Sequence, residues 1–309
     1  MKKWKEITEK TCSMTSNRKC SFIAVVGAPN AGKSTLVNTI VGEKVSIVSP
    51  KIQTTRKRIR GIVEIDETQL VFTDTPGFCK SSSHLEKAIM ANFRKSYKDA
   101  DLILLIVDAT SRHHNDSFEF IEKIQKSDVP LVVAINKVDI VKKLDILVMA
   151  EKLSQYDFIR KIFMVSATQN DGVDDLKTFL KESASCGPWL FGENQATDTN
   201  LSFRLSEITR EKIFNRLDKE LPYSIYVETE LFKNTEKKAK IYQSIVVLKD
   251  SQKGIVLGRQ GSMIKSIRED AVFDMKNLLD KKVELKLFVK AKEKWTEKKA
   301  HLQSAGIIE

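Results

Sequence analysis

Eight residues near the start of the chain have the types and spacing that suit phosphate binding. They are Gly27, Ala28, Pro29, Asn30, Ala31, Gly32, Lys33 and Ser34, and Thr35 follows them. In a Gly-x4-Gly-Lys-Ser loop the backbone N–H groups surround phosphate oxygens at a helix N-terminus, and the lysine reaches the β- and γ-phosphates. We expect Lys33 to supply catalytic charge and Ser34 to supply a hydroxyl ligand for Mg²⁺. The stretch therefore predicts a nucleotide-binding loop.

A second polar cluster, Asp74-Thr75-Pro76-Gly77, directly follows the apolar run Leu70–Thr73. A carboxylate at a strand end can hold Mg²⁺ through water, and the Gly77 N–H can approach a γ-phosphate and lose that contact after hydrolysis. A lone D-x-x-G is a common turn, but this one lies at a strand end downstream of a phosphate loop. We expect all four residues to bind nucleotide, Asp74 to hold the metal and Gly77 to act in catalysis.

A third cluster, Asn136-Lys137-Val138-Asp139, predicts which base is bound. The Asp139 carboxylate can accept hydrogen bonds from guanine N1–H and its 2-amino group, which adenine lacks. A site built for such bonds rejects a ligand without them by ~10⁴ or more. We expect Asn136 to brace the loop and the stem of Lys137 to lie on the base.

Two further stretches complete the expected site. In Ser166-Ala167-Thr168, the Ala167 N–H is expected to donate to guanine O6. Between the first two clusters, the polar stretch Lys51–Arg58 contains two hydroxyl side chains. A hydroxyl there can complete the Mg²⁺ shell only when the γ-phosphate is present, which would make the segment a switch. We favour Thr55, with Thr54 as the alternative; an exposed basic loop is the simpler interpretation.

These clusters lie between short apolar runs that alternate with amphipathic stretches. The predicted strands are Phe22–Val26, Leu70–Thr73, Leu102–Val107, Leu131–Ile135 and Ile162–Val165. Such alternation predicts parallel βαβ units, with binding residues just past the strand ends. Residues 20–184 are therefore expected to form an α/β phosphate-loop domain with a mostly parallel sheet flanked by helices.

Residues 185–200 contain Gly187, Pro188 and Gly192 with few periodic apolar positions, which predicts a linker. Residues 201–309 then predict a second, α+β domain with the order α-β-β-α-α-β. Its strands are expected at Ser224–Thr229, at Ile241–Leu248 and around Val283–Val289, where apolar residues alternate with polar or exposed positions.

Gly258-Arg259-Gln260-Gly261 precedes a helix whose expected buried face is Ile264, Ile267, Ala271, Met275 and Leu278. A G-x-x-G loop in this position is typical of the KH module, which clamps about four single-stranded nucleotides. The glycines would let phosphates come close, and Arg259 and Lys265 would add charge. Trp295 and the stretch Lys290–Lys299 either extend this RNA surface or form a solvated basic helix.

The 309-residue chain carries a net charge of +11, which favours a polyanionic partner. From residue 200 onward there are 23 Lys and Arg against 16 Asp and Glu, so most of the basic excess lies there. No apolar run approaches the ~20 residues needed to span a bilayer. Residues 1–19 are expected to be a disordered basic extension. The cysteines form no C-x-x-C pair, so a reducing cytoplasm fits best; they are Cys12, Cys20, Cys79 and Cys186.

Residues 22–184 resemble the GTP-binding domain of translation-factor-type GTPases. Four other stretches are similar to the Era family of bacterial GTPases: Gln53-Thr54-Thr55-Arg56, Gly187-Pro188-Trp189-Leu190, Asp198-Thr199 and Leu221-Pro222-Tyr223-Ser224. The resemblance covers about residues 20–309. It implies hydrolysis of GTP to GDP, a type II KH domain that binds the 3′ end of small-subunit ribosomal RNA, and a role in small-subunit assembly. It also implies partial, peripheral association with the inner membrane face. No obligate protein partner is evident in the sequence, so we expect a monomer.

The group that positions the catalytic water stays open. Ras-like enzymes place a glutamine directly after D-x-x-G, but Phe78 stands there and cannot orient water. We infer a slow intrinsic rate that another group, a cation or RNA raises. Asn30, with backbone oxygens of the Thr54–Thr55 segment, would suit K⁺; alternatively, Asn30 only shapes the turn.

Two other classes of function are compatible with the sequence. An ATP-dependent RNA enzyme would share the phosphate loop, although Asp139 argues against it. A GTP-gated RNA-binding protein with negligible turnover would share every motif.

Overall fold

The computed structural model describes residues 17–49, 51, 55–56, 59–75, 77, 99–110, 115–125, 127–218, 221–293, 295–297 and 302. The chain forms two compact units, each discontinuous in sequence. The first comprises Met1–Ser46, Arg58–Ser81 and Met90–Asp198; the second comprises Ile47–Lys57, Ser82–Ile89 and Thr199–Glu309. The predicted division into residues 20–184 and 201–309 did not anticipate that residues 47–57 belong to the second unit.

The first unit is built on a mostly parallel sheet, as predicted. Its strands are β1 Lys19–Gly27, β2 Ile59–Ile65, β3 Thr68–Asp74, β4 Leu102–Asp108, β5 Leu131–Asn136, β6 Ile159–Val165 and β7 Ser185–Cys186. They are arranged in the order β2-β3-β1-β4-β5-β6, and β7 pairs with β1. The β2–β3 and β1–β7 pairs are antiparallel and the others are parallel.

The described helices of this unit are α1 Lys33–Val41, α2 Asn115–Ile124, α3 Lys143–Ser154 and α4 Val173–Glu182. Two hydrophobic clusters form the core. Leu104 and Ile106 of β4 belong to one, and Ile103 and Leu105 belong to the other. Burial on both faces explains why this strand shows no alternation of apolar and polar residues.

The predicted linker is part of the first unit as far as Asp198. The buried side chain of Gln69 in β3 accepts hydrogen bonds from the N–H groups of Leu190 (3.0 Å) and Phe191 (3.1 Å) and donates to the Phe191 carbonyl (3.0 Å). This stretch therefore satisfies a buried amide. A glycine- and proline-rich composition predicted a loop but could not indicate that a strand residue holds it.

The second unit has the predicted order of elements. Its helices and strands are α5 Leu201–Arg216, β8 Tyr226–Asn234, β9 Lys238–Val247, α6 Asp250–Leu257, α7 Ser262–Leu279 and β10 Lys282–Ala291. The sheet order is β10-β9-β8, with β10 parallel and β8 antiparallel to β9. The expected face of α7 packs into the core through Ile267, Ala271 and Met275. In the described part of the chain, every helix is too short or too polar to span a bilayer.

Arg56 fixes the segment Ile47–Lys57 within the second unit. The residue is 4% exposed, and its guanidinium donates to the carbonyl oxygens of Ile225 (2.7 Å), Tyr223 (2.8 Å) and Pro222 (3.2 Å). It also lies 5.7 Å from the centroid of the Phe214 ring. Burial lowers the pKa of Arg56, since a charged group is destabilised away from water.

Trp295 does not extend an RNA surface, contrary to one of the two predictions for its stretch. The residue is 0% exposed, its ring lies 4.7 Å from that of Tyr226, and its indole N–H donates to the Ser224 carbonyl (2.9 Å). A large aromatic ring with one polar group is stabilised by this combination of burial and hydrogen bonding. Trp295 is therefore a packing residue.

Candidate nucleotide site and nucleic-acid interface

The predicted phosphate loop connects the carboxyl end of β1 to the N-terminus of α1. Lys33 is buried, and its ammonium donates to the carbonyl oxygens of Gly27 (3.2 Å) and Ala28 (2.8 Å). Gly32 has φ 92°, and a Cβ there would lie 2.2 Å from Nδ2 of Asn136. The lysine therefore spans the loop, and glycine at position 32 lets the loop pass close to Asn136.

The two expected metal residues of the first unit are in contact. Oγ of Ser34 donates to Oδ2 of Asp74 at 2.7 Å, and Asp74 lies fully buried at the end of β3. The next residue, Thr75, donates from its hydroxyl to the Val25 carbonyl (2.7 Å), which ties this strand end to β1. A hydroxyl and a carboxylate oxygen side by side are the hard ligands that Mg²⁺ prefers, so the pair fits this ion.

Gly77 approaches the phosphate loop closely. A Cβ at this position would lie 2.8 Å from the backbone nitrogen of Pro29 and 2.9 Å from its Cα. Any side chain would displace the loop, so the D-x-x-G glycine is required by contact and not only by turn geometry. Pro76, Thr54 and Phe78 lie outside the described residues.

Asn136 joins the phosphate loop to the stretch expected to contact the base. Its amide donates to the Ala31 carbonyl at 2.8 Å, and its side-chain oxygen accepts from the Ala167 N–H at 3.0 Å. Thr39 of α1 also donates to the Ala167 carbonyl (2.8 Å). The predicted bracing role fits this geometry. The Ala167 N–H, expected to donate to guanine O6, instead donates to Asn136 here, so a base would compete for it.

Lys137 has φ 67° and forms an ion pair that the sequence did not indicate. Its ammonium donates to Oδ2 of Asp108 at 2.6 Å, while the N–H and hydroxyl of Thr110 donate to Oδ1 (2.8 and 2.6 Å). Burial alone would raise the pKa of Asp108, but these hydrogen bonds outweigh it and lower the pKa. The only signal in the sequence was the position of Asp108 at the end of a strand.

The residues expected to recognise the base lie at the ends of β5 and β6. Val138 and Asp139 belong to a 3₁₀ turn, Val138–Ile140, and the Asp139 side chain is exposed. Within the described part of the chain, no hydrogen bond engages its carboxylate. Ser166 is fully buried, and its backbone exchanges hydrogen bonds with that of Asp171. Asp139 is therefore available to a ligand.

Thr55, the expected third metal ligand, is buried in the segment Ile47–Lys57. This segment belongs to the second unit, whereas Ser34 and Asp74 belong to the first. Its metal-binding role stays a prediction.

The G-x-x-G loop of the second unit has a backbone of positive φ that its glycines adopt without strain. Gly258, Gln260 and Gly261 have φ values of 73°, 50° and 78°. A Cβ at Gly258 would lie 2.6 Å from that of Met263, whereas one at Gly261 would meet nothing within 4 Å. Arg259, Gln260 and Lys265 are exposed. The loop therefore leaves open space at Gly261 and offers two cations near it.

The first unit has the sheet, phosphate loop and Asn-Lys-x-Asp turn of a P-loop GTP-binding protein, and the second has the fold of a KH domain. The family model for 50S ribosome-binding GTPases matches residues 22–137, and that for KH domains matches residues 220–296. The GTPase Era of Mesorhizobium japonicum is 40% identical over 287 residues, which cover 93% of each chain. The GTPase Era of Ehrlichia ruminantium is 40% identical over 279 residues, covering 90% of this chain and 94% of that protein. The chain belongs to the GTPase Era family.

Two solved structures are similar over nearly the whole chain. One is Era in complex with MgGDPNP and nucleotides 1506–1542 of 16S ribosomal RNA; it is 31% identical with a TM-score of 0.89, over 95% of this chain and 100% of that one. The other is an Aquifex aeolicus Era variant bound to GDP·AlF4⁻, also 31% identical with a TM-score of 0.89, over 94% and 100%. The protein is accordingly a GTPase that binds GTP and GDP.

Proposed function

We propose that this GTPase couples its nucleotide state to the binding of the 3′ end of small-subunit ribosomal RNA, and that it acts in assembly of the small subunit. The observation that carries the proposal is the combination, in one chain, of a guanine-nucleotide site with the open Gly258–Gly261 loop. A relative of known structure was solved with nucleotides 1506–1542 of 16S ribosomal RNA, which supports the choice of RNA.

Filter binding with an RNA of that 3′ end tests the proposal. We expect tighter binding with a non-hydrolysable GTP analogue than with GDP, and weak binding of a scrambled RNA of equal length. Equal affinity for both RNAs would refute the choice of RNA. Equal affinity in both nucleotide states would refute the coupling.

Within this proposal, catalysis rests on charge and positioning. Lys33 brings a cation to the loop, and Gly77 lies directly against Pro29 of the same loop. Ser34 and Asp74 would hold Mg²⁺, which when bound neutralises charge on the phosphate oxygens. Because Phe78 cannot orient water, we propose a slow basal rate that a further group raises.

We propose K⁺ as that further group, bound through the side-chain oxygen of Asn30. Asn30 has φ 62°, which asparagine tolerates better than most residues, so its presence also has a purely conformational explanation. The substitution Asn30→Gly distinguishes K⁺ binding from the conformational explanation, because glycine keeps this φ without strain and removes the side-chain amide. We expect faster GTP hydrolysis in K⁺ than in Na⁺ at equal ionic strength, and no difference in Asn30→Gly. Equal rates for the unmodified protein would exclude the cation.

We also propose a cytoplasmic monomer with peripheral association at the inner membrane face, supported by the net charge of +11. Cell fractionation at low and high salt would test the location. A salt-resistant membrane fraction would contradict an electrostatic attachment.

A further inference from the structure

One face of the KH sheet carries a cluster of lysines and aromatic rings that the Gly258–Gly261 loop does not include. We call it the lysine face and define it as Lys233, Lys238, Lys240, Tyr242, Lys282, Lys286 and Phe288. On β9 the alternate residues Ala239, Ile241 and Gln243 are fully buried. The lysine face therefore lies on the side of the sheet opposite this buried side.

Like charges stand directly opposite each other on this face. Lys282 pairs with Lys238 across β10 and β9, and Lys240 pairs with Lys233 across β9 and β8. Glu284 contributes one carboxylate, opposite Lys240. Within the described residues, no ion pair involves any of the five lysines of the lysine face. Like charges in such positions destabilise a sheet, so an anionic ligand would offset a cost already built into the fold.

Two aromatic rings lie beside these lysines. The ammonium of Lys286 is 5.2 Å from the centroid of the Tyr242 ring, in a cation–π contact. Phe288, two residues further along β10, is 47% exposed. Aromatic rings beside cations suit single-stranded nucleic acid, because bases stack on the rings while the cations neutralise phosphates.

At the other end of the same side of the sheet, the charged side chains form ion pairs. Glu230 pairs with Lys290 (2.5 Å) and Glu228 with Lys292 (3.7 Å), so the charges there are balanced. Trp295 packs on Tyr226. Among the described residues on this side of the sheet, the lysines without an ion pair therefore lie where β9 and β10 begin, and Phe288 lies between them and the ion-paired end.

We propose that the lysine face is a second binding surface for single-stranded RNA, separate from the Gly258–Gly261 loop. The loop lies between α6 and α7, whose residues Val256 and Ile267 pack with Ile245 and Val247 of β9. These β9 residues belong to the buried side of the sheet, so the sheet itself stands between the helices that carry the loop and the lysine face. We therefore expect an RNA that just fills the loop's groove not to extend to the lysine face. The inference rests on the proposed RNA binding.

The test compares two RNAs on the full chain with a GTP analogue: one of about five nucleotides that fills the groove, and one of about thirty that contains it. In the triple variant Lys238→Gln, Lys240→Gln and Lys282→Gln, we expect about tenfold weaker binding of the long RNA and unchanged binding of the short one. The slope of log affinity against log salt should fall by about 2, because each lost phosphate contact contributes about 0.7.

A matched control removes three exposed lysines from the first unit: Lys142→Gln, Lys143→Gln and Lys152→Gln. It makes the same change in net charge and should leave both affinities and the salt slope unaltered. Phe288→Ser should weaken binding of the long RNA at least fivefold, because a stacking ring is lost. An unchanged thermal melting curve verifies that each variant is folded.

Four results would overturn the inference. The first is that the triple variant binds the long RNA with unchanged affinity and salt slope. The second is that the triple variant binds both RNAs more weakly by the same factor, and the third is that the control variant loses as much affinity for the long RNA as the triple variant does. The fourth concerns lipid. Vesicles of phosphatidylglycerol and phosphatidylcholine bind the unmodified protein but not the triple variant while RNA binding is unchanged, which would assign the face to a membrane. If the unmodified protein binds neither RNA, the proposed function fails as well.

Discussion

The side chain of Asn136 uses its donor and its acceptor on two different loops. Its amide holds the Ala31 carbonyl and its oxygen holds the Ala167 N–H. At 2% exposure, both bonds are shielded from water, and loss of either would leave a buried backbone group unpaired. A single residue therefore positions the loop expected at the phosphates relative to the loop expected at the base.

Asp139→Asn should change the base preference. An amide can donate to the 2-oxo group of xanthine, whereas a carboxylate can only accept from the 2-amino group of guanine. We expect GTP affinity to fall by tenfold or more and xanthosine triphosphate to bind better than it does to the unmodified protein. Nucleotide titration of both proteins measures this.

Asp145→Asn is the control for that substitution, because Asp145 is an exposed carboxylate near the start of α3. Its nucleotide affinities should stay the same. An undiminished preference for GTP in Asp139→Asn would show that another group reads the base.

For single residues, the sequence predicted which side chains form the site better than it predicted their hydrogen-bond and ion-pair partners. The spacing of Lys33, Ser34 and Asp74 suggested a phosphate and metal site, and the structure brings Ser34 and Asp74 to 2.7 Å. The Lys137–Asp108 pair was not predictable, because it joins the ends of two strands whose register only the sheet defines. Spacing within one loop is encoded locally, whereas contacts between loops depend on tertiary structure.

The short strand β7 pairs with the first two residues of the central strand β1, and the pair contains two cysteines in contrasting surroundings. Cys20 of β1 pairs with Ser185, and Cys186 pairs with Lys19. Cys186 is exposed. Burial, and then the nearby Asp101 carboxylate, raises the pKa of the Cys20 thiol to about 11.

Alkylation by iodoacetamide at pH 8.5 should therefore distinguish the two cysteines. A thiol with a raised pKa stays protonated below that value, and the thiolate is the nucleophile. We expect Cys186 to react at least tenfold faster than Cys20 in the native protein, and Cys20 to accelerate as the pH approaches 11. Timed peptide mapping by mass spectrometry gives both rates. The urea-unfolded protein, in which the rates should converge, is the control.

The G-x-x-G loop allows a test that leaves its shape intact. Gly261 faces open space and has φ 78°, which both Asn and Asp tolerate. We expect Gly261→Asp to weaken RNA binding at least tenfold through repulsion of phosphate, and the isosteric Gly261→Asn to weaken it much less. GTP hydrolysis should be unaffected in both. Equal loss in the two variants would mean that sterics, and not charge, act at this position.

Gly258 is the less informative target, because a Cβ there would clash with Met263.

The predicted strands and helices agree with the structure where apolar periodicity was strong. The edge strand β2 was missed, since Arg60, Gly61 and Glu64 interrupt its apolar pattern. Edge strands are half-solvated and leave a weaker signal than central ones.

The second unit includes a segment, residues 47–57, that lies in sequence within the first unit. Composition identified two domains, but it could not reveal that residues 47–57 belong to the second unit, because Arg56 resembles any other residue of a basic loop. Arg56 acts as a buried donor to the carbonyl groups of residues 222, 223 and 225, and no local sequence pattern identifies these groups as its acceptors.

Arg56→Met should loosen the turn at residues 222–225. Methionine fills a similar volume but leaves the carbonyl oxygens without their donor, at a cost of about 2 kcal/mol. Hydrogen exchange of peptides covering residues 221–227 should rise by more than tenfold. Arg56→Lys should give a smaller rise.

Arg268→Met, at an exposed position on α7, provides the control and should change exchange in residues 221–227 by less than twofold. If Arg56→Met behaves in the same way, the guanidinium does not stabilise the turn.

The same contact determines when the protein can finish folding during synthesis. Arg56 and its acceptors are separated by 166 to 169 residues. At roughly 5 to 20 residues per second, a ribosome needs on the order of ten to thirty seconds to make the intervening chain. The last strand of the first unit's sheet, β7, is synthesised before any of these carbonyl groups exists. Arg56 is therefore made early and can reach its native acceptors only late in synthesis.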